Sequence, residues 1–289
     1  MADPNKTEAD KPAAAAAPAK VDPKKTPSTP VEDDGEDELA GSEAPLLDHL
    51  IELRKRLIRS LVVLFGLLIV CFFVAEPIFN ILVQPYREAV APQPVELIFT
   101  APQEYFFTQL SLAFFGALFL GFPYLAVEIY GFIAPGLYKK ERRAFIPYLI
   151  ATPVFFVLGA CMVYFAVLPL AMRFFHSMET EEIQMLVKVS EYLGLAMTLI
   201  IAFGICFQLP VVLTLLARIE LISCDMLKKG RRYAIVAILL FAAFITPPDP
   251  ISQIGLALPM YLLYELSILS VRWVEKQRKA AQSTAETAE

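Results

Sequence analysis

Six predominantly apolar stretches divide this chain, at residues 57–75, 106–133, 145–170, 192–217, 233–245 and 254–271. About 20 such residues coiled as an α-helix cross the hydrocarbon of a bilayer. Inside that solvent no backbone N–H or C=O finds water, so a crossing segment must satisfy its own hydrogen bonds, and a run of this length does so as a helix. The expected fold is all-α, a polytopic integral membrane protein with six transmembrane helices, the last two short. Composition points the same way: 19% of the 289 residues are charged, and the mean hydropathy is +0.56. That is more apolar material than one water-soluble core hides. Pro123, Pro153 and Pro210 lie inside or beside these runs and predict kinks that neighbouring helices must re-satisfy. At about 1.5 Å per residue the fifth run falls well short of roughly 30 Å of hydrocarbon, so its ends snorkel or the bilayer thins. The alternative for the last two runs is a buried helical hairpin that does not cross.

Residues 1–44 are a different material, rich in Ala, Pro and Lys and then acidic in "VEDDGEDELAGSE". They read as a disordered cytoplasmic tail, without the apolar middle of a secretory signal and too acidic for a transit peptide. Residues 45–273 form the membrane domain, and 274–289 a second cytoplasmic tail. The cations set the orientation. "ELRKRLIR" precedes the first run, "YKKERR" follows the second, "KKGRR" precedes the fifth and "RWVEKQRK" follows the sixth, whereas 76–105 carries only Arg87 and "TPPDPIS" carries none. Every second connection is basic, which puts both termini and the loops 134–144 and 218–232 in the cytoplasm. Trp273 falls where the last helix leaves the bilayer, as an interfacial anchor does.

Catalytic patterns are missing. The chain has no GxxxxGK[ST] loop, no HExxH pair and no GxSxG elbow, so an enzyme is not expected. His49 and His176 are expected on opposite sides of the membrane, and Cys71, Cys161, Cys206 and Cys224 lack metal-ligand spacing; no metal, cofactor or disulfide is assigned. What remains is a set of polar groups in costly places. Glu128 and Glu265 lie in apolar runs near their expected cytoplasmic ends, and Gln208 lies near the middle of the fourth run, just before Pro210. Intramembrane polar groups are functional candidates, with helix–helix bonding as the competing role. Gln208 is a candidate for docking another chain, since a lone amide in hydrocarbon needs a partner. In "FIAPGLYKKERRAFIP" a single carboxylate, Glu141, stands among Lys139, Lys140, Arg142 and Arg143. Its alternatives are local charge compensation and a site for cations from another molecule.

The segments "LLDHLIELRKRLIRS", "FIAPGLYKKERR", "FGICFQLPVV", "TPPDPISQ" and "LALPMYLLYE" follow one another in this order. From about Pro45 to Trp273 the chain resembles the TatC family of twin-arginine protein translocase subunits. The resemblance implies a core subunit of a machine that exports folded proteins across the bacterial cell inner membrane. It also implies a receptor for twin-arginine signal peptides, the single-span partners TatA and TatB, and a proton gradient as the energy source. By the same resemblance Glu52 in "IELRKR" and Glu141 in "KKERR" bind the two arginines. A guanidinium gives one carboxylate two parallel hydrogen bonds, which an ammonium cannot. Flanking cations such as Arg54 hold these acids ionised and turn away random basic peptides, or else bind anionic headgroups. Phe132 is a candidate for packing the apolar part of the signal, and Pro85 in "VQPY" matches a position linked in the family to function. Asp249 and Gln253 in "PPDPISQ" are candidates for a role in translocation, against a plain helix start with Asp as cap and Pro250 at the first position. Two departures stand out: the long acidic tail, and Gln208 at a place where family members can carry Glu, which puts in question any mechanism needing a titrating group there. The contending class is a small-solute secondary transporter, with its substrate at mid-bilayer between inverted repeats. No internal repeat is seen, and the carboxylates collect at the cytoplasmic edge instead.

Overall fold

Proline sets the punctuation of this fold, because each one withholds a donor from the helix ladder. The computed structural model describes residues 36–92, 97–133, 146–180, 185–245 and 250–286. The chain divides into Met1–Asp48 and His49–Glu289. Of the first unit the described part is helical from Glu36; everything below concerns the second. Its helices are α1 (Glu36–Phe73, begun in the first unit), α2 (Ala75–Val90), α3 (Glu104–Ile133), α4 (Ile146–Met162), α5 (Leu168–His176), α6 (Val189–Cys206), α7 (Leu209–Arg218), α8 (Cys224–Ile245) and α9 (Pro250–Glu286). A single π turn, Val163–Val167, joins α4 to α5 just before Pro169. The fourth apolar run breaks where Pro210 stands in the first turn of α7, while α3 and α4 continue through Pro123 and Pro153.

Among the described residues, five helical stretches are long and apolar enough to cross a membrane: Leu50–Phe73, Glu104–Phe132, Ile146–His176, Val189–Arg218 and Gln253–Ala280. The remaining expected crossing, the fifth run at 233–245, lies in α8. The 22 residues of α8 begin "CDMLKKGRRY", so only its second half is apolar. The final helix is not short. The segment "EKQRKAAQSTAE" carries α9 on to Glu286, through residues set apart as a tail, because Ala, Gln, Glu, Lys and Arg are strong helix formers. Similarly α1 starts at Glu36, inside the stretch expected to be disordered. Helix α2 lies where only a connection is expected between the first two runs.

Burial ranks the helices. Of the apolar part of Val189–Arg218, 56% is buried, against 6% for Leu50–Phe73, so α6 and α7 form the centre and α1 a flank. The centre closes on glycine. A β-carbon on Gly159 of α4 would lie 2.8 Å from the Phe203 carbonyl oxygen, and one on Gly204 of α6 would lie 2.5 Å from the Phe156 ring. Small residues admit such close backbone approach, and aromatic rings fill the space beside it. Phe156 also stacks on Phe122 with centroids 3.7 Å apart.

At the end away from the basic clusters, α2 is held by phenols. Pro85 gives Ile81 no N–H, and the Tyr164 hydroxyl donates to the Ile81 carbonyl at 2.9 Å. Tyr192 donates to the Leu82 carbonyl at 2.8 Å and stacks on Tyr86. Two short strands, β1 (Leu97–Ile98) and β2 (Val187–Lys188), pair in parallel, Leu97 opposite Val187. Glu104 reinforces this tie, accepting from the Thr100 N–H at 2.8 Å and from the Ser190 hydroxyl.

Candidate functional site

Positions 52, 56 and 59 fall one and two turns apart along α1, so Glu52, Arg56 and Arg59 share a face. On α3, Tyr124 and Glu128 are likewise one turn apart. The two faces meet. Arg56 donates to Glu52 Oε1 through Nε at 3.0 Å and Nη2 at 2.7 Å. Its third nitrogen, Nη1, reaches Glu128 Oε2 at 2.9 Å. Arg59 Nη1 and the Tyr124 hydroxyl donate to the other Glu128 oxygen at 3.1 and 2.8 Å. Gly131 makes room, since a β-carbon there would stand 2.5 Å from Arg56 Nη1.

The two acids differ in exposure. The Glu128 side chain is 8% exposed and fully engaged, while that of Glu52 is 36% exposed and has one oxygen beyond Arg56. A buried carboxylate held by two guanidinium groups and a phenol is a structural anchor. A half-open carboxylate with one oxygen outside its pair can accept a further donor.

The other expected site residues scatter. Arg54 is exposed on α1, one turn before Ile58, and Phe132 is half-buried near the end of α3. Glu141 and Asp249 lie outside the described residues. Glu265 on α9 pairs with Arg231 of α8 at 2.7 Å and accepts from Tyr261 at 2.9 Å, separate from the α1–α3 cluster. Gln253 donates to the Leu239 carbonyl at 3.1 Å, closing the opposite end of the α8–α9 pair. Pro85 is buried in α2. Gln208, expected to seek another chain, is 9% exposed. Its Nε2 donates to the Thr152 carbonyl of α4 at 3.0 Å and to the Gly204 carbonyl at 3.3 Å. The Gln208 N–H has turned to Ile205, so the side chain supplies the donor that Gly204 loses at the break.

Sequence reasoning missed Arg56, Arg59 and Tyr124. One signal for Arg56 was present, its place four residues after Glu52, the favoured order for an acid and a base on a helix.

The family model described as "Sec-independent protein translocase protein (TatC)" matches residues 48–259. The Sec-independent protein translocase protein TatC of Magnetococcus marinus (strain ATCC BAA-1437 / JCM 17883 / MC-1) is 44% identical over 247 residues, 86% of this chain and 90% of that protein. The protein of the same name from Escherichia coli (strain K12) is 35% identical over 229 residues, 79% and 88% of the two chains. Among solved structures, the crystal structure of the twin arginine translocase receptor TatC superposes with a TM-score of 0.71 at 34% identity. It covers 78% of this chain and 99% of its own.

Proposed function

This chain belongs to the TatC family of Sec-independent protein translocase proteins, and from that premise we propose that it is the receptor for twin-arginine signal peptides. It is a component of the twin-arginine translocation machinery and a multi-pass protein of the bacterial inner membrane. The observation that carries the receptor reading is Glu52, a half-exposed carboxylate in the basic stretch of α1 that already holds a guanidinium at two nitrogens. Arg56 is bound to Glu128 as well. It therefore keeps a carboxylate partner when an incoming arginine takes Glu52. Glu141, in the basic segment between α3 and α4, supplies the second acceptor, so that two arginines meet two acids, with Phe132 and Arg54 as further contacts.

The rest of the reading follows the same premise. Six crossings, with both termini and the basic loops in the cytoplasm, set Glu52 and Glu141 on the side from which folded cargo arrives. TatA and TatB are the partners and the proton gradient is the drive. Gln208 acts on partner docking through the seam it holds between α4 and α6. Gln253 and Pro85, at the opposite end of the bundle, and Asp249 contribute to translocation.

The test is signal-peptide affinity in membranes for Glu52→Gln, Glu141→Gln and the double variant. Each charge-assisted contact contributes about 1.5–3 kcal/mol, so either single change should weaken binding roughly ten- to a hundredfold. A peptide with two lysines keeps the charge and loses the two-pronged geometry, so it should bind poorly and lose much less on either substitution. Equal losses for both peptides would assign the carboxylates to local charge compensation.

A further inference from the structure

The start of α4, helix α7 and the 269–277 stretch of α9 leave a groove of about 970 Å³ between them. Its floor is apolar, with Phe155 and Leu269 among the lining side chains, and its rim carries Arg218, Arg272 and Lys276 beside Trp273. No carboxylate of the described residues lines it. The nearest acids along the sequence are already occupied. Glu275 accepts from the Cys224 N–H at 2.8 Å, and Glu220 pairs with Arg278 at 2.9 Å. Elsewhere at this end of the bundle Arg56, Arg59, Lys228 and Arg231 have carboxylate partners. Among the described residues the three rim cations have none, as is true also of Arg54, Lys55, Lys229 and Arg232, which lie outside the groove.

We propose that this groove binds an anionic phospholipid, with the phosphate on Arg218, Arg272 and Lys276 and an acyl chain along the apolar floor. The chemistry is divided as a phospholipid is divided. The floor belongs to the apolar runs of α4, α7 and α9, and the cations begin where those runs stop, at the level of headgroups. Arginine gives a phosphate two parallel hydrogen bonds, and lysine adds charge. Basic pockets between helices at the cytoplasmic face suit anionic headgroups, and an indole at the boundary packs well against the glycerol region. A soluble anion would satisfy the rim but leave the floor bare, so the lipid is the occupant that uses the whole groove.

Trp273 reports on the groove directly, because it is the chain's single tryptophan. The full-length protein is reconstituted in phosphatidylcholine vesicles containing a minor fraction of brominated lipid, either phosphatidylglycerol or phosphatidylcholine. Quenching of Trp273 by the brominated phosphatidylglycerol should exceed that by brominated phosphatidylcholine, corresponding to a preference on the order of tenfold. Arg218→Gln/Arg272→Gln/Lys276→Gln should bring the preference to one. Arg272 and Lys276 are exposed, so a double variant confined to them folds even if the triple variant does not, and it should lose most of the preference. Lys228→Gln/Lys229→Gln, on α8 outside the groove, should keep it. Equal quenching in the wild-type protein, or a preference that survives the double variant, overturns the proposal. Loss of preference in the α8 variant overturns it too, by reducing the effect to general surface charge. A preference that emerges only after residues 1–43 are deleted assigns the groove to the chain's own acidic tail, and equally overturns it.

Discussion

Arg56 stands between two carboxylates and is divided between them. Glu52 takes two of its nitrogens and Glu128 the third. Glu128→Gln removes the charge that draws the guanidinium towards α3 and leaves it to Glu52. On the proposed receptor reading, an intramolecular competitor then sits more firmly on Glu52, and peptide affinity should fall about three- to tenfold. Adding Arg56→Gln to that variant removes the competitor and should restore binding. Unchanged affinity in Glu128→Gln, measured with the Arg–Arg peptide, would show that Arg56 does not compete. The pairing of Glu52 with Arg56 is legible in the sequence because a helix puts positions four apart together. The pairing of Arg56 with Glu128, 72 residues later, is not. It depends on how α1 and α3 are rotated about their axes, and helices apolar on nearly every side carry little pattern to specify rotation. For the same reason Gln208 reads as an unsatisfied amide in the sequence, while in the fold its Nε2 supplies a donor to the broken backbone between α6 and α7 and only its Oε1 is left without a partner among the described residues.

Among the helical elements, α4 and α6 depend most on what their glycines lack. Replacing Gly by Ala inside a helix gains about 1 kcal/mol of propensity, and overpacking a tight contact costs about 1–3 kcal/mol. At Gly159 the new carbon meets the Phe203 carbonyl, a backbone atom that moves only if α6 moves. The cost therefore lies at the upper end, and Gly159→Ala should lower stability by about 1–2 kcal/mol. Gly66→Ala, with nothing within 4 Å, should be neutral or mildly stabilising. Thermal denaturation in detergent compares the two; a Gly159→Ala protein as stable as wild type would mean that α4 and α6 can part without loss. The long apolar helices are legible because length alone distinguishes them. Helix α2 is not, since "AEPIFNILVQPYREAV" is too short and too mixed to cross and includes a proline in its interior. It holds because Tyr164, 83 residues from Ile81, supplies the hydrogen bond that Pro85 withholds.

For the molecule as a whole, the pairing of β1 with β2 places the connections after α2 and after α5 at the same end of the bundle. That agrees with the alternation of basic and cation-poor segments, a pattern visible without any structure. The orientation itself has a direct test. In a chain whose four native cysteines are replaced, single cysteines in 76–92 or 171–180 should react with an impermeant thiol reagent from the periplasmic side, and cysteines in 134–144 should not; the reverse pattern would invert the topology. The uneven attachment of the helices also has a consequence in time. The ribosome makes α1 first, and α1 has the least to gain from the others, so it can rest in lipid alone until α3 brings Glu128 to Arg56 and Arg59. Helix α8 is the opposite case. With five charged residues among its first nine it is a poor solitary resident of the bilayer, and its contacts at Arg231, Leu227 and Cys224 come from Glu265, Tyr264 and Glu275 of α9. Its final seat is decided only when the last helix has left the ribosome, and a chain cut short before Glu265 strands it.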